Sequence, residues 1–126
     1  IKNLAKYNLA YLHLMEPLAP IDGLPQYQIF KQGVAKTFRP HYPGTIMING
    51  GYDLEKGNAA IASGDADMVS FGKLFIANPD LPVRFATGAP LNSLLGPETF
   101  YGGGEHGYTD YPVLNWKPRK KESPSM

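Results

Sequence analysis

The sequence contains no cysteine and no long apolar run, and each absence excludes a class of protein. Without cysteine the chain cannot form disulfides, Fe–S clusters, thiolate zinc sites or a cysteine nucleophile. A membrane-spanning helix needs about 18 or more consecutive apolar residues, and the sequence has no such run. We therefore expect a cytoplasmic protein with no membrane partner.

Charge is also scarce. Charged residues make up 18% of the sequence, and 12 Lys and Arg against 11 Asp and Glu leave a net charge of +1. This balance gives no reason to expect nucleic acid as a partner. Four of the basic residues lie close to the C-terminal end, and we expect residues 115–126 to form a flexible basic tail.

Hydrophobic residues make up 43% of the 126 positions, which is enough for one domain with a buried core. The sequence also holds 14 Gly and 12 Pro, which indicates many turns. Apolar runs and helical spacing predict strands over residues 9–16, 45–49 and 67–71, and helices over residues 26–38, 54–63 and 81–86. The apolar run at 9–16 is nearly continuous, so we expect this strand to be buried on both faces.

Strands that alternate with helices at this spacing favour βαβ units and an α/β fold with a parallel sheet. The three strands should therefore be parallel neighbours in chain order, with helices on one side. From about residue 89 the alternation stops, and the sequence becomes rich in aromatic residues and glycine. We expect this aromatic and glycine-rich tail to be an ordered, extended segment whose aromatic rings pack across the domain.

Two strand ends carry glycine next to polar groups. Asn49, Gly50 and Gly51 end the second strand, and the third is followed by Gly72 and Lys73. Glycine after a parallel strand lets backbone N–H groups approach an anion, as at phosphate sites of β/α barrels. The same glycines would also serve ordinary strand-to-helix turns. Taken by themselves, these residues leave both interpretations open.

The three histidines, His13, His41 and His106, share no metal-ligand spacing, and we expect no metal site. His13 lies within the first predicted strand and is better explained as a hydrogen-bonded interior residue than as a base or ligand.

A set of short motifs runs through the chain in a fixed order. They are YLHLMEP (11–17), GG (50–51), FGK (71–73), FIANPDL (75–81), PLN (90–92), FYGGG (100–104) and GYTDYP (107–112). In order and spacing they resemble the C-terminal part of the old yellow enzyme family, over about residues 4–114. Two positions depart from the family pattern: Lys73 stands where the family has Arg, and Leu18 where Arg often follows Glu-Pro.

The resemblance implies a TIM (β/α)8 barrel, which needs roughly 250 residues. Residues 1–114 would then supply strands six to eight and the tail, and the upstream part of the barrel would be a partner. The family consists of flavin-dependent ene-reductases. In these, FMN takes hydride from NAD(P)H and passes it to the activated C=C bond of a small electrophilic alkene, an α,β-unsaturated carbonyl or nitro compound.

The resemblance also implies roles for residues of this chain. Cofactor-binding residues would be Asn49, Gly50, Gly51, Phe71, Gly72, Lys73 and Phe100, and Tyr101 would line the substrate pocket. The family's proton donor and carbonyl-binding pair lie upstream, so no catalytic residue falls within this chain. We expect the isolated chain to be inactive.

Two other interpretations of the sequence stay open. One is a non-catalytic, truncated partial barrel that forms homo-oligomers through its exposed sheet edges. The other is a β/α module that binds a different phosphate ligand.

Overall fold

A computed structural model describes residues 1–20 and 23–114. The strands are β1 (Leu12–Met15), β2 (Ile46–Asn49) and β3 (Met68–Val69), and the helices are α1 (Val34–Phe38), α2 (Leu54–Ala62), α3 (Lys73–Ala77) and α4 (Leu81–Thr87). Strands and α-helices alternate along the chain up to α3, two short 3-10 helices lie between β1 and β2, and a third follows the last α-helix. The chain divides into two compact units, with the boundary between Phe71 and Gly72. The predicted basic tail, 115–126, lies outside the described residues.

The three strands form one sheet in the order β1-β2-β3, and both pairs are parallel. Leu14 of β1 pairs with Ile48 of β2, which in turn pairs with Val69 of β3. The predicted parallel neighbours in chain order are therefore confirmed. β3 is shorter than the predicted strand 67–71, but the N–H groups of Asp67 and Ser70 still donate to β2 carbonyls at 2.9 Å each.

One face of the sheet holds the core of the first unit. Leu14, Ile46 and Ile48 on this face are buried, together with Val34 and Ala35 of α1. Helix α2 reaches the same cluster through Ala60. Both helices thus pack on one side of the sheet, as predicted.

The other face of β1 is open, which makes the prediction of a strand buried on both faces wrong. His13 is exposed, and Met15 is 60% exposed. Side chains alternate between the two faces of a strand, and within the first unit α1 and α2 cover only one of them. The apolar run at 9–16 is therefore half buried in this chain.

The predicted helix over 26–38 is also wrong, because it consists of two pieces. A 3-10 helix spans Pro25–Phe30, and α1 begins only at Val34. Gly33 separates them with φ +97°, a conformation that breaks helical continuity and that glycine adopts without strain. The apolar spacing matched both pieces but could not detect the break between them.

Helix α2 agrees closely with its prediction. The Asp53 carboxylate accepts the Lys56 N–H at 2.8 Å, which satisfies one of the donors left free at the start of a helix. The helix ends at Ala62, and Gly64 follows with φ +77°. The predicted span of 54–63 is confirmed to within one residue.

In the second unit, α4 matches the predicted helix at 81–86 and is followed by Gly88 in the left-handed conformation, with φ +67°. Helix α3 was not predicted, because five residues are too few to show helical spacing. No helix among the described residues is long and apolar enough to cross a membrane.

Asp67 ties the start of β3 to its neighbours. Its Oδ2 accepts the Ile46 N–H at 2.8 Å and an N–H of the Arg39 guanidinium at 2.8 Å. The hydrogen bond from Ile46, followed by that from Arg39, lowers the pKa of this carboxyl below its usual value of 3.8. The same Arg39 donates to the carbonyls of Tyr42 and Gly44, so it also fixes the approach to β2.

The segment from 89 to 114 contains one 3-10 turn, Pro97–Thr99, and no other regular element. Its aromatic rings do not all pack as expected, since Tyr101 is 88% exposed and Tyr108 is 55% exposed. Tyr111 is partly buried, and its hydroxyl accepts the Leu95 N–H at 2.9 Å. The prediction that the tail aromatics pack on the domain is therefore wrong for Tyr101 and Tyr108 within the described residues.

Candidate functional site

The end of β2 turns sharply through two glycines. Gly50 has φ +106° and Gly51 has φ +68°, both in the region where side chains are strained. Asn49, just before them, donates through Nδ2 to the Ser70 carbonyl at 2.9 Å and to the Ser70 hydroxyl at 3.1 Å. Asn49 thus joins the ends of β2 and β3.

The two glycines differ in their surroundings. A Cβ on Gly50 would lie 3.1 Å from the backbone N and O of Glu16, so the main chain after β1 packs directly on it. At Gly51, no described atom lies within 4 Å of the Cβ position. Packing therefore accounts for Gly50, whereas the space beside Gly51 is open.

Glu16, which sequence reasoning did not single out, organises this turn. Both of its carboxylate oxygens accept the Val34 N–H, at 3.0 and 2.9 Å, and Oε1 also accepts the Tyr52 hydroxyl at 3.3 Å. Burial and the neighbouring Glu16 charge raise the pKa of Tyr52 to about 12. In the sequence, Glu16 is notable only as a glutamate between a predicted strand and a proline. That position does not predict its hydrogen-bond partners.

His13 lies on the open face of the sheet, and its Nε2 is 2.9 Å from the Ser70 hydroxyl. The prediction of a hydrogen bond is confirmed, whereas the prediction of an interior position is wrong because this face is uncovered in the described residues. The histidine of β1, Asn49 of β2 and Ser70, which follows β3 directly, form one polar row.

Phe71 ends the first unit. Its ring lies against α2, where a Cβ on the buried Gly57 would be 3.7 Å from the Phe71 Cζ atom. The side chain is partly buried, so packing accounts for much of its surface.

Gly72 and Lys73 open the second unit. Gly72 has φ −95°, which does not require glycine, and no described atom lies within 4 Å of its Cβ position. The N–H groups of Phe75 and Ile76 donate to its carbonyl, and no side chain caps α3 at this end. Lys73 is exposed. Neither the backbone nor the packing therefore explains why this position lacks a side chain.

The residues predicted at the start of the tail lie further along the same unit. Phe100 is partly buried at the end of the 3-10 turn, where its N–H donates to the Pro97 carbonyl at 3.1 Å. The side chain of Tyr101, the next residue, is exposed.

A buried arginine, also missed from the sequence, fastens the tail to α4. Arg84 is 4% exposed and pairs through Nε with Asp80 at 2.7 Å. Its two remaining nitrogens donate to the carbonyls of Pro90 and Pro112. The other Asp80 oxygen accepts the Leu114 N–H at 2.8 Å, and the Arg84 and Leu114 bonds lower the pKa of Asp80.

Two asparagines complete this attachment. Asn78, with no exposed surface, donates to the Leu74 carbonyl at 2.9 Å and accepts the Asn92 N–H at 2.7 Å. Asn92 donates through Nδ2 to the carbonyls of Ala77 and Pro112, at 2.7 Å each. The start and end of the tail are thus held on helices α3 and α4. Across the described residues, no three His, Asp or Glu side chains come together as a metal site would need.

Comparison with known proteins places this chain among flavin-dependent oxidoreductases. The family model for NADH:flavin oxidoreductases and NADH oxidases matches residues 1–92. The 12-oxophytodienoate reductase 1 of Oryza sativa subsp. japonica is 46% identical over 106 residues, which cover 82% of this chain and 27% of that protein.

Solved structures agree. Morphinone reductase in complex with tetrahydroNAD has a TM-score of 0.73 and 42% identity, covering 90% of this chain and 28% of that one. A variant of NCR from Zymomonas mobilis has a TM-score of 0.74 and 35% identity, covering 90% of this chain and 35% of that one. These neighbours are TIM-barrel proteins, and the chain matches a portion of the barrel.

The chain belongs to the NADH:flavin oxidoreductase / NADH oxidase family, as its old yellow enzyme motifs predicted. Members of the family are flavoproteins that use FMN and NAD(P)H. The chain spans about a quarter of the length of the curated relatives it matches.

Proposed function

We propose that this chain forms strands six to eight of an FMN-dependent ene-reductase and binds the phosphate of FMN. β1, β2 and β3 would be those three strands. The substrates would be small alkenes conjugated to a carbonyl or nitro group, and NAD(P)H would be the reductant. The isolated chain would be inactive, because the proton donor and carbonyl-binding pair implied by the family lie upstream.

The observation that carries the phosphate assignment is Gly72. Its φ of −95° lies outside the left-handed region that favours glycine, and no described atom lies within 4 Å of its Cβ position. A turn therefore does not explain this glycine, whereas the close approach of a ligand does. An anion suits the position, since the first N–H groups of a helix have no partner within it.

The space beside Gly51, which follows β2, is open in the same way as that beside Gly72. Its conformation requires glycine, and the position where a side chain would project is open to a ligand. The N–H groups of Gly50 and Gly51 donate to no other described residue. They are thus available to phosphate oxygens.

Lys73 would add a full positive charge to the site. It is exposed and makes no ion pair with a described residue. Lysine attracts phosphate as a compact charge but lacks the two-pronged planar group of arginine. We therefore assign Lys73 to phosphate attraction and not to stacking on the flavin.

Bound FMN would supply the hydride chemistry between NAD(P)H and the activated alkene. The contribution of this chain is positional: the glycine turns and Lys73 hold the phosphate, and Phe100 and Tyr101 border the flavin and substrate. Tyr101 is suited to a pocket because its side chain is almost fully exposed in the part of the chain that the structure describes.

Comparing FMN with riboflavin tests the proposal, because the two differ only in the phosphate. In the apo form of the intact enzyme, Lys73→Ala should weaken FMN binding by about 1.5–3 kcal/mol, the range for a hydrogen bond to a charged group. Riboflavin binding should not change. Lys36→Ala, at an exposed position of α1, is the matched control and should bind both flavins like wild type.

Two further variants separate the roles. Gly72→Ala should weaken FMN binding while changing the free energy of unfolding by less than about 1 kcal/mol, because its φ is not positive and no described atom lies near its Cβ position. Tyr101→Phe should leave FMN affinity unchanged and alter enone kinetics. Equal FMN affinity for wild type, Lys73→Ala and Gly72→Ala would return Gly72 to an ordinary turn and refute the phosphate site.

A further inference from the structure

Glu16 connects two loops at the C-terminal edge of the sheet. Its backbone N–H donates to the Asn49 carbonyl at 2.8 Å, so it lies beside the last residue of β2. Its carboxylate accepts the Val34 N–H and the Tyr52 hydroxyl, which belong to the connections after β1 and β2 respectively. One side chain thus joins α1 to the turn that contains Gly50 and Gly51.

The packing around Glu16 leaves little freedom. A Cβ on Gly33 would lie 3.3 Å from Glu16 Oε1, and one on Gly50 would lie 3.1 Å from the Glu16 main chain. Glycine at both positions lets the chain close around the glutamate. The contact with Gly50 means that a movement of Glu16 would be transmitted directly to the turn.

The far side of the same turn is held by Lys56. Its Nζ donates to the Gly51 carbonyl at 3.3 Å and lies 5.9 Å from the centre of the Tyr52 ring. Glu16 and Lys56 therefore fix the Gly51 carbonyl and the Tyr52 side chain. The N–H groups of Gly50 and Gly51 are the ones that stay available.

We propose that Glu16 is a positioning residue that, through Tyr52 and Gly50, orients the Gly50–Gly51 turn for the FMN phosphate. This inference rests on the proposed phosphate site. Glu16 does not itself touch the phosphate in this assignment, since its negative charge would repel it and its oxygens are already used by two donors of the chain. Its effect is on the direction of the N–H groups.

Flavin affinity in the intact apo-enzyme tests this role, measured by fluorescence titration with FMN and with riboflavin. Glu16→Gln keeps the size of the side chain but replaces one acceptor oxygen with an NH2 group. Because both oxygens accept the Val34 N–H, either orientation of the amide sets this NH2 group against the Val34 N–H and weakens that contact. We expect FMN to bind about tenfold more weakly and riboflavin to bind within about twofold of wild type, the effect of about one hydrogen bond. Tyr52→Phe, which removes only the hydroxyl, should weaken FMN selectively by about threefold.

A purely structural role would behave differently, because it would lower the affinities for both flavins together. Parallel loss of FMN and riboflavin, or an unchanged FMN affinity in both variants, would overturn the proposal. Glu55→Gln is the matched control, since Glu55 is exposed on the first turn of α2. Should Glu16→Gln fail to fold, Tyr52→Phe alone decides the outcome.

Lys73→Ala distinguishes the two levels of inference. If Lys73→Ala weakens FMN binding but not riboflavin binding, while the Glu16 and Tyr52 variants show no such selective loss, the phosphate site stands and the positioning role fails. If wild type binds FMN and riboflavin equally and Lys73→Ala changes neither, the phosphate site and the positioning role fail together.

Discussion

Asn78 offers a sharp test of how the tail is attached. The side chain is fully buried, and it links the end of α3 to Asn92 at the start of the tail. Asn78→Ala removes both hydrogen bonds but leaves the Leu74 carbonyl with a second donor, the backbone N–H of residue 78 at 3.0 Å. The Asn92 N–H is the group that loses its partner.

The expected magnitude follows from this difference. Loss of the bond to the Leu74 carbonyl should cost about 1 kcal/mol, because that acceptor stays satisfied. The Asn92 N–H, left without an acceptor, should cost about 1–3 kcal/mol. We therefore expect Asn78→Ala to lower the free energy of unfolding of this region by about 2–4 kcal/mol.

Hydrogen exchange of the intact protein measures the effect where it occurs. The Asn92 amide should lose protection in Asn78→Ala, and urea unfolding should shift to lower concentrations. Asn58→Ala, at an exposed position of α2, is the control and should stay within about 0.5 kcal/mol of wild type. If Asn78→Ala matched this control and kept Asn92 protected, the attachment would not depend on these bonds.

Asn78→Asp gives an independent check through pH. The carboxyl keeps an acceptor for the Asn92 N–H, but when ionised it places a charge beside the Leu74 carbonyl. Burial favours the protonated form, so the folded-state pKa of this new carboxyl should be raised. The variant should therefore gain stability relative to wild type as pH falls through that pKa, from neutral towards pH 4.

Two further predictions concern the first unit. The pKa of Asp67 is lowered on folding, so its contribution to stability is present above the unfolded value of 3.8 and is lost as pH falls below it. Asp67→Asn should therefore lower the thermal midpoint at pH 6 but have a smaller effect at pH 3, and an equal loss at both pH values would contradict the assignment. Gly50→Ala should destabilise the protein more than Gly51→Ala in urea unfolding, because both positions have positive φ but only Gly50 packs on Glu16. Equal losses would show that the contact with Glu16 relaxes freely.

The sheet could be predicted from sequence because each strand is a short apolar run bounded by glycine or proline. α2 and α4 could be predicted because each has a recognisable end, at Gly64 and Gly88. The failure at 26–38 has a specific cause. Gly33 has a positive φ and packs against Glu16, which lies far from it in the chain. Apolar spacing carries no information about such contacts.

Prediction from the sequence has the same limit for single residues of the candidate site. Gly50 and Gly72 look alike in the sequence, since each follows a strand. In the structure Gly50 is required by its positive φ and by contact with Glu16, whereas Gly72 has neither a positive φ nor such a contact among the described residues. Sequence reasoning could place both glycines at strand ends but could not separate a packing glycine from one whose space is open to a ligand.

The tail shows most clearly what could not be predicted from the sequence. Its motif was recognised, but its aromatic residues were expected to hold it in place, and Tyr101 is instead almost fully exposed. A segment without regular structure must find partners for its backbone groups elsewhere. Here Arg84 and Asn92 supply them, and both donate to the Pro112 carbonyl. The ends of the tail are therefore fixed by polar side chains of α4 and of the tail itself, and among the described residues the ring of Tyr101 takes almost no part in this attachment.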